Sequence, residues 1–112
     1  MFFANMIEEK RRYWRYKART RQLPASYRAT VNALERYLMS FGPGDGGNLL
    51  TMLDDLADLF EQSAANGTPV REVVGDDPVE FAEEFLRNYP DDQWITRERR
   101  KLTNAINRVA DK

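Results

Sequence analysis

The spacing of apolar residues constrains this chain more than any other feature. Between residues 27 and 41 the large apolar positions are Tyr27, Val31, Leu34, Leu38 and Phe41, at steps of 4, 3, 4 and 3. Such steps gather the side chains along one stripe of an α-helix, which repeats every 3.6 residues. They would scatter them over both faces of a strand, which repeats every two. The pattern returns further on, where Leu49, Leu53, Leu56 and Phe60 fall on one line with Met52 and Leu59 beside it, and Asp54, Asp55, Asp58 and Glu61 turn outward. No segment sustains period-two alternation. The predicted fold class is therefore all-α, a small bundle of four to five helices plus one short helical turn.

Punctuation between the stripes sets the boundaries. A first helix is predicted over 3–21, with Phe3, Met6, Ile7, Tyr13, Trp14 and Ala18 inward and Glu8, Arg11, Arg12, Arg15 and Arg19 opposite. Leu23-Pro24 ends it, because the residue before a proline avoids the α region. The second helix spans 26–41, and Gly42 to Gly47 form a loop by composition. Asn48 is placed to cap a third helix over 49–66, and Gly67 to stop it in a left-handed conformation. Thr68 as N-cap and Pro69 at the first helical position open a turn bearing Val70, Val73 and Val74, which Gly75 ends. Asp76 or Asp77 caps a helix over 78–88, with Val79, Ala82, Phe85 and Leu86 inward and Phe81 flanking. Tyr89-Pro90 closes that segment. A last helix over 92–109 is expected to bury Trp94, Ile95, Leu102, Ile106 and Val109 and to expose Arg97, Arg100, Lys101 and Arg108. At 112 residues the chain has room for one domain, taken as 1–112.

Missing residue types narrow the chemistry. The sequence holds no cysteine and no histidine, which excludes disulfides, thiolate and imidazole nucleophile pairs, and zinc sites built on either ligand. Carboxylates, lysines and tyrosines remain. The expectation is a non-catalytic protein with no cofactor and no metal. Absence of cysteine suits a bacterial-type cytoplasmic setting. The apolar start MFFANMI is too short for a secretory signal, and no run of roughly 18 apolar residues exists to cross a membrane.

The net charge of -1 conceals a strong division. Residues 1–22 hold seven cations and two anions, residues 45–92 two cations and thirteen anions, and residues 93–112 six cations and two anions. A basic head and tail thus enclose an acidic middle. Such a chain can complement itself or present faces of opposite sign to partners.

From Leu23 onward the motifs resemble a known family. LPASYRATVNALERYL and LLTMLDDLADLFEQSAANGTPVREVVGDDPVEFAEEFL share a Leu-Pro-x-x-Tyr-Arg opening, an Asp-Leu-x-x-Leu-Phe-Glu core and a Gly-x-x-Val-x-x-Val-x-Gly-x-Asp run followed by Phe81 and Glu84. These resemble the small bacterial family Domain of Unknown Function ten-forty-eight (DUF1048). The resemblance covers 23–87 closely and both ends loosely. It implies an all-helical domain wound as a short left-handed superhelix, and a regulatory partner, such as a PadR-type transcriptional regulator, in place of a substrate. It implies no reaction. Pro78 stands where the family more often has an apolar residue, and a proline there suits a helix start.

The stretch EEKRRYWRYKARTR raises the sharpest functional question. Arg11, Arg12, Arg15 and Arg19 could form a phosphate-contacting stripe with Tyr13, Trp14 and Tyr16 as stacking platforms. On the wheel, however, Tyr13 and Trp14 lie on the apolar side and only Tyr16 stays by the arginines. The plainer reading is a basic face that is solvated or paired within the chain. Lys10, Lys17 and Arg21 lie among the aromatics, where their stems can cover apolar neighbours or their charges reach Asp54, Asp55, Asp58 or Glu61. A helix-turn-helix is disfavoured because the candidate recognition helices are acidic. Glu80, Glu83 and Glu84 have the spacing of oxygen ligands but lack the histidine that carboxylate-bridged bundles add.

The expected function is a protein-interaction or regulatory-accessory domain, with an unknown protein partner or self-association and no membrane. Its candidate interaction surface is Arg11, Arg12, Arg15 and Arg19 with Asp54, Asp55, Asp58 and Glu61. The alternatives are nucleic-acid binding through the basic terminal helices, and a small ligand held by Tyr27, Tyr37, Trp94 and nearby carboxylates.

Overall fold

The computed structural model describes the backbone of residues 2–41, 46–89 and 94–111 and the side chains of residues 7–40, 49–89 and 98–111. Six helices occupy it: α1 (Phe2–Arg21), α2 (Ala25–Phe41), α3 (Gly46–Ala65), α4 (Val70–Val74), α5 (Pro78–Leu86) and α6 (Trp94–Ala110). No strand occurs among the described residues, in keeping with the all-α expectation. Helix α3 is the hub. It packs against both α1 and α2, and α2 in turn carries α4 and α5.

The core follows the two cleanest stripes in the sequence. Val31, Leu34 and Leu38 of α2 meet Met52, Leu53, Leu56, Ala57 and Phe60 of α3, with Tyr16, Leu23, Ala82 and Leu86 closing the cluster. Phe41, at the end of the predicted α2 stripe, lies outside the described side chains.

Helix ends use the expected residues, with two adjustments. Gly67 sits at φ 68°, and the amides of Gly67 and Thr68 donate to the carbonyls of Ala64 and Ser63 at 3.1 and 2.8 Å. That is a Schellman stop. Asp77, one of the two residues offered as a cap, accepts from the Val79 and Glu80 amides at 3.1 Å each, with Pro78 at the first helical position. Pro69, by contrast, is itself the N-cap of α4 and no side chain caps that turn. Thr68 is instead part of the α3 stop. Helix α3 also begins at Gly46, ahead of the predicted Asn48 cap. The first turn of a helix leaves its amides without intrahelical partners whatever the residue, so glycine is tolerated there.

Three inward assignments are corrected. On α1, Tyr16 is fully buried, while Trp14 and Ile7 are 60% and 50% exposed, reversing the expected order. The apolar residues of α1 divide between two faces, Tyr13–Tyr16 and Ile7–Trp14–Ala18, and a helical wheel cannot choose between them; Ala18, also assigned inward, is exposed. On α5, Val79 is 49% exposed; it lies at the edge of a short helix whose centre is taken by Ala82 and Leu86. On α6, Leu102, Ile106 and Val109 are 65%, 57% and 75% exposed, so the predicted core stripe faces outward. Trp94, Ile95 and Arg97 lie outside the described side chains.

The exposed helix leaves its mark on the shape. The radius of gyration is 17.1 Å and the extents are 60 × 39 × 17 Å, against about 13 Å for a compact chain of this length. No described helix is long and apolar enough to cross a membrane.

Candidate interaction surfaces

Arginine spacing on α1 and carboxylate spacing on α3 create a charged seam. Arg12 and Arg19 stand two turns apart on one edge of α1. Asp54, Asp58 and Glu61 recur at four and three residues along α3, facing that edge. Arg12 reaches Asp54 at 3.3 Å and the Thr51 hydroxyl at 3.4 Å. Arg19 grips Glu61 through two nitrogens at 2.6 and 3.1 Å, bonds Asp58, and lies 3.7 Å from Asp54. The Glu61 carboxylate, ahead of every other influence, raises the Arg19 pKa further above its ordinary value. The candidate surface is thus divided. Arg12, Arg19, Asp54, Asp58 and Glu61 face one another, while Arg11 pairs with Glu8 on the exposed side of α1 at 3.6 Å and Arg15 is exposed. Asp55 accepts a bond from the Tyr89 hydroxyl after α5.

A second polar cluster lies between α1 and α2. Glu35, only 9% exposed, receives Lys17 at 3.0 Å and the Tyr13 hydroxyl at 3.4 Å. The Lys17 ammonium also lies 5.6 and 5.8 Å from the ring centres of Tyr13 and Tyr16, within cation–π range. Lys17 therefore takes Glu35 and none of the α3 acids offered to it by the sequence. The second oxygen of Glu35 and the Tyr16 hydroxyl are buried without a partner among the described residues. Burial, and then the neighbouring Glu35 carboxylate, pushes the Tyr16 pKa well above the ordinary tyrosine value. Sequence reading missed this cluster although a signal existed: Glu35 falls four residues after Val31 and three before Leu38, on the inward stripe.

The ligand-site candidates do not converge. Tyr27 donates its hydroxyl to the Thr68 carbonyl, which ties α2 to the α3–α4 connection. Tyr37 is half-buried against the core, and the side chain of Trp94 lies outside the described ones. Among the described residues no group of three carboxylates is placed to hold a metal ion.

Among the described residues two apolar surfaces remain uncovered. On the outer face of α1, Trp14 and Ala18 line a shallow groove with Arg11 and Arg15. On α6, Leu102, Ile106 and Val109 recur at four and three residues, so they form one ridge. Every described α6 residue from Arg99 onward is exposed. At 100° per residue Arg99 flanks the ridge on one side and Glu98 on the other, with Lys101 and Arg108 a step further round, and Lys101 pairs with Glu98 at 3.3 Å. A family model described as "Protein of unknown function (DUF1048)" matches residues 4–107. No match is found among curated proteins.

Proposed function

We propose, from the premise that this chain belongs to the DUF1048 family, that it is a non-catalytic interaction domain whose docking element is α6. The single observation behind this reading is the exposed ridge of Leu102, Ile106 and Val109. A 17-residue amphipathic helix has an apolar face that water solvates at a cost of about 25 cal/mol per Å². Helices of this design gain stability by laying that face into a groove. The α1 arginines support the same reading by what they are already doing. Arg12 and Arg19 are engaged with α3, so a phosphate backbone would have to compete with carboxylates already in place.

The family resemblance adds a regulatory-accessory role, for which a PadR-type regulator is the first partner to offer. A photo-crosslinking side chain at Ile106, set against a control at the exposed Asn32 of α2, tests the reading in the native cell. Crosslinked macromolecules are expected at 106 and not at 32, and are expected to vanish when Leu102 is also changed to serine. Equal crosslinking at both positions, or none at 106, would overturn the assignment of α6 as the docking element.

A further inference from the structure

We propose that the α6 ridge docks on the α5 face of a second copy of this chain, giving a two-fold dimer in which each copy offers its last helix to the other. The inference rests on the interaction-domain reading and names the partner.

Charge is the first argument. Residues 94–110 contain five cations and one anion, whereas residues 70–89 contain six anions and two cations. The two segments carry equal and opposite net charge. Glu80 and Glu84 project from the exposed side of α5 next to Phe81, and Asp55 of α3 is held beside it by Tyr89. The α1 groove of Trp14 and Ala18 is a poorer seat, because Arg11 and Arg15 line it and would repel the cations of α6.

Apolar complementarity is the second argument. Phe81, Phe85 and Tyr89 form a half-buried aromatic ladder along α5, with centroids 6.4 and 5.7 Å apart. Tyr89 stands in the turn after the helix, and the two centroid steps of 6.4 and 5.7 Å carry the ladder over a length comparable to that of the α6 ridge. The α6 ridge, at four and three residues, spans about 10.5 Å. A ridge of that length can lie along such a ladder, with Arg99 on one flank and Arg108 on the other reaching acids, while Lys101 is already paired with Glu98 in its own turn at 3.3 Å. Glu84 lies nearest the ladder, in a solvent-exposed pair with Arg87, Glu80 lies next to it, and Glu83 lies on the far side of the helix from Phe81 and Phe85, so the acids offered to α6 are Glu80, Glu84 and Asp55.

Symmetry is the third. Each copy owns one ridge and one ladder, so two copies satisfy both contacts at once and the assembly closes.

Sedimentation equilibrium of the full chain at 0.15 M salt is the first measurement, with a mass near twice 13.1 kDa expected in the micromolar range. Arg99→Glu/Arg108→Glu and Glu80→Lys/Glu84→Lys are each expected to weaken the dimer at least about tenfold, with far-ultraviolet circular dichroism unchanged. Mixing the two variants should restore a heterodimer, since each then offers the other an opposite charge. Recovery on mixing supports the inference even if the Leu102→Ser/Ile106→Ser variant loses helicity. Several results overturn it: a wild-type chain monomeric at 100 μM, charge variants that associate as wild type does, or no recovery on mixing. A monomer whose radius of gyration falls to about 13 Å would mean that α6 closes on its own body, and monomeric binding to anionic vesicles would mean a lipid seat; both overturn the second copy. If the chain is monomeric yet crosslinks through Ile106 to another macromolecule, the interaction-domain reading stands and the second copy falls.

Discussion

Arg19 and Arg15 are four residues apart on one helix, yet they occupy different physical situations. Arg19 is about one-third exposed and meets three carboxylates, whereas Arg15 lies on the exposed side. Arg19→Ala is expected to lower stability by about 1 kcal/mol, because bidentate networks exceed isolated surface pairs. Arg15→Ala should stay within about 0.5 kcal/mol. Urea denaturation checks both, and the gap should narrow at 1 M salt as screening shortens; equal effects would show that the seam does not stabilise the fold. Tyr16 supplies a second prediction. Its hydroxyl is buried beside the Glu35 carboxylate without a bond of ordinary geometry, so in Tyr16→Phe the relieved desolvation and the lost donor to Glu35 oppose each other, and stability near neutral pH is expected to change by less than about 1 kcal/mol. The pKa raised by burial means that the unfolded chain releases this proton first. Stability is therefore fully present below about pH 10, the ordinary tyrosine value, and declines as pH rises above it. In Tyr16→Phe that alkaline decline should be shallower, measured by urea midpoints between pH 9 and 11. Part of it should persist, because burial and Asp55 also raise Tyr89.

At the scale of elements, the ends of helices carry more information than their middles. Gly67 and Gly75 have φ of 68° and 84°, and a Cβ at either would meet nothing within 4 Å. The cost of substitution is thus backbone strain alone. Gly67→Ala is expected to cost about 1–2 kcal/mol. Gly75→Ala should cost about 1–3 kcal/mol, because its ψ of -170° places it where essentially only glycine goes. Asp77→Ala, which removes two accepted bonds at the start of α5, should cost about 1 kcal/mol. Thermal unfolding of the three variants ranks them, and a Gly75 variant as stable as wild type would contradict the assigned conformation. Each of these residues was legible in the sequence as punctuation. Pro69 was misplaced by one position, because Gly67 and Thr68 are both needed to complete the α3 stop before another helix can start.

For the whole molecule, burial separates a body of α1 to α5 from α6, whose described residues from Arg99 onward are exposed. Hydrogen exchange should report this directly. Amides in the centre of α3, where Leu53, Leu56 and Phe60 are fully buried, are expected to exchange only through global unfolding. Amides of α6 should exchange orders of magnitude faster at low protein concentration, and slow as concentration rises if the second copy covers them. Uniform protection at all concentrations would place α6 inside the cooperative body.

Sequence by itself determined that the chain is helical, where most helices stop, and which stripes of α2 and α3 form the core. Those features depend on local periodicity and on residues with restricted backbone choices, and both are written in consecutive positions. Only the tertiary structure decided the rotation of α1, the pairing of Lys17 with Glu35, and the exposure of Leu102, Ile106 and Val109. Helix α1 has two apolar faces, and the choice went to the one that buries Tyr16 while bringing Arg12 and Arg19 onto Asp54, Asp58 and Glu61. That choice balances volume and charge across elements some forty residues apart, which no local window contains. Helix α6 shows the converse limit. An amphipathic period states that a face requires cover, and the identity of the cover belongs to whatever surface can reach it.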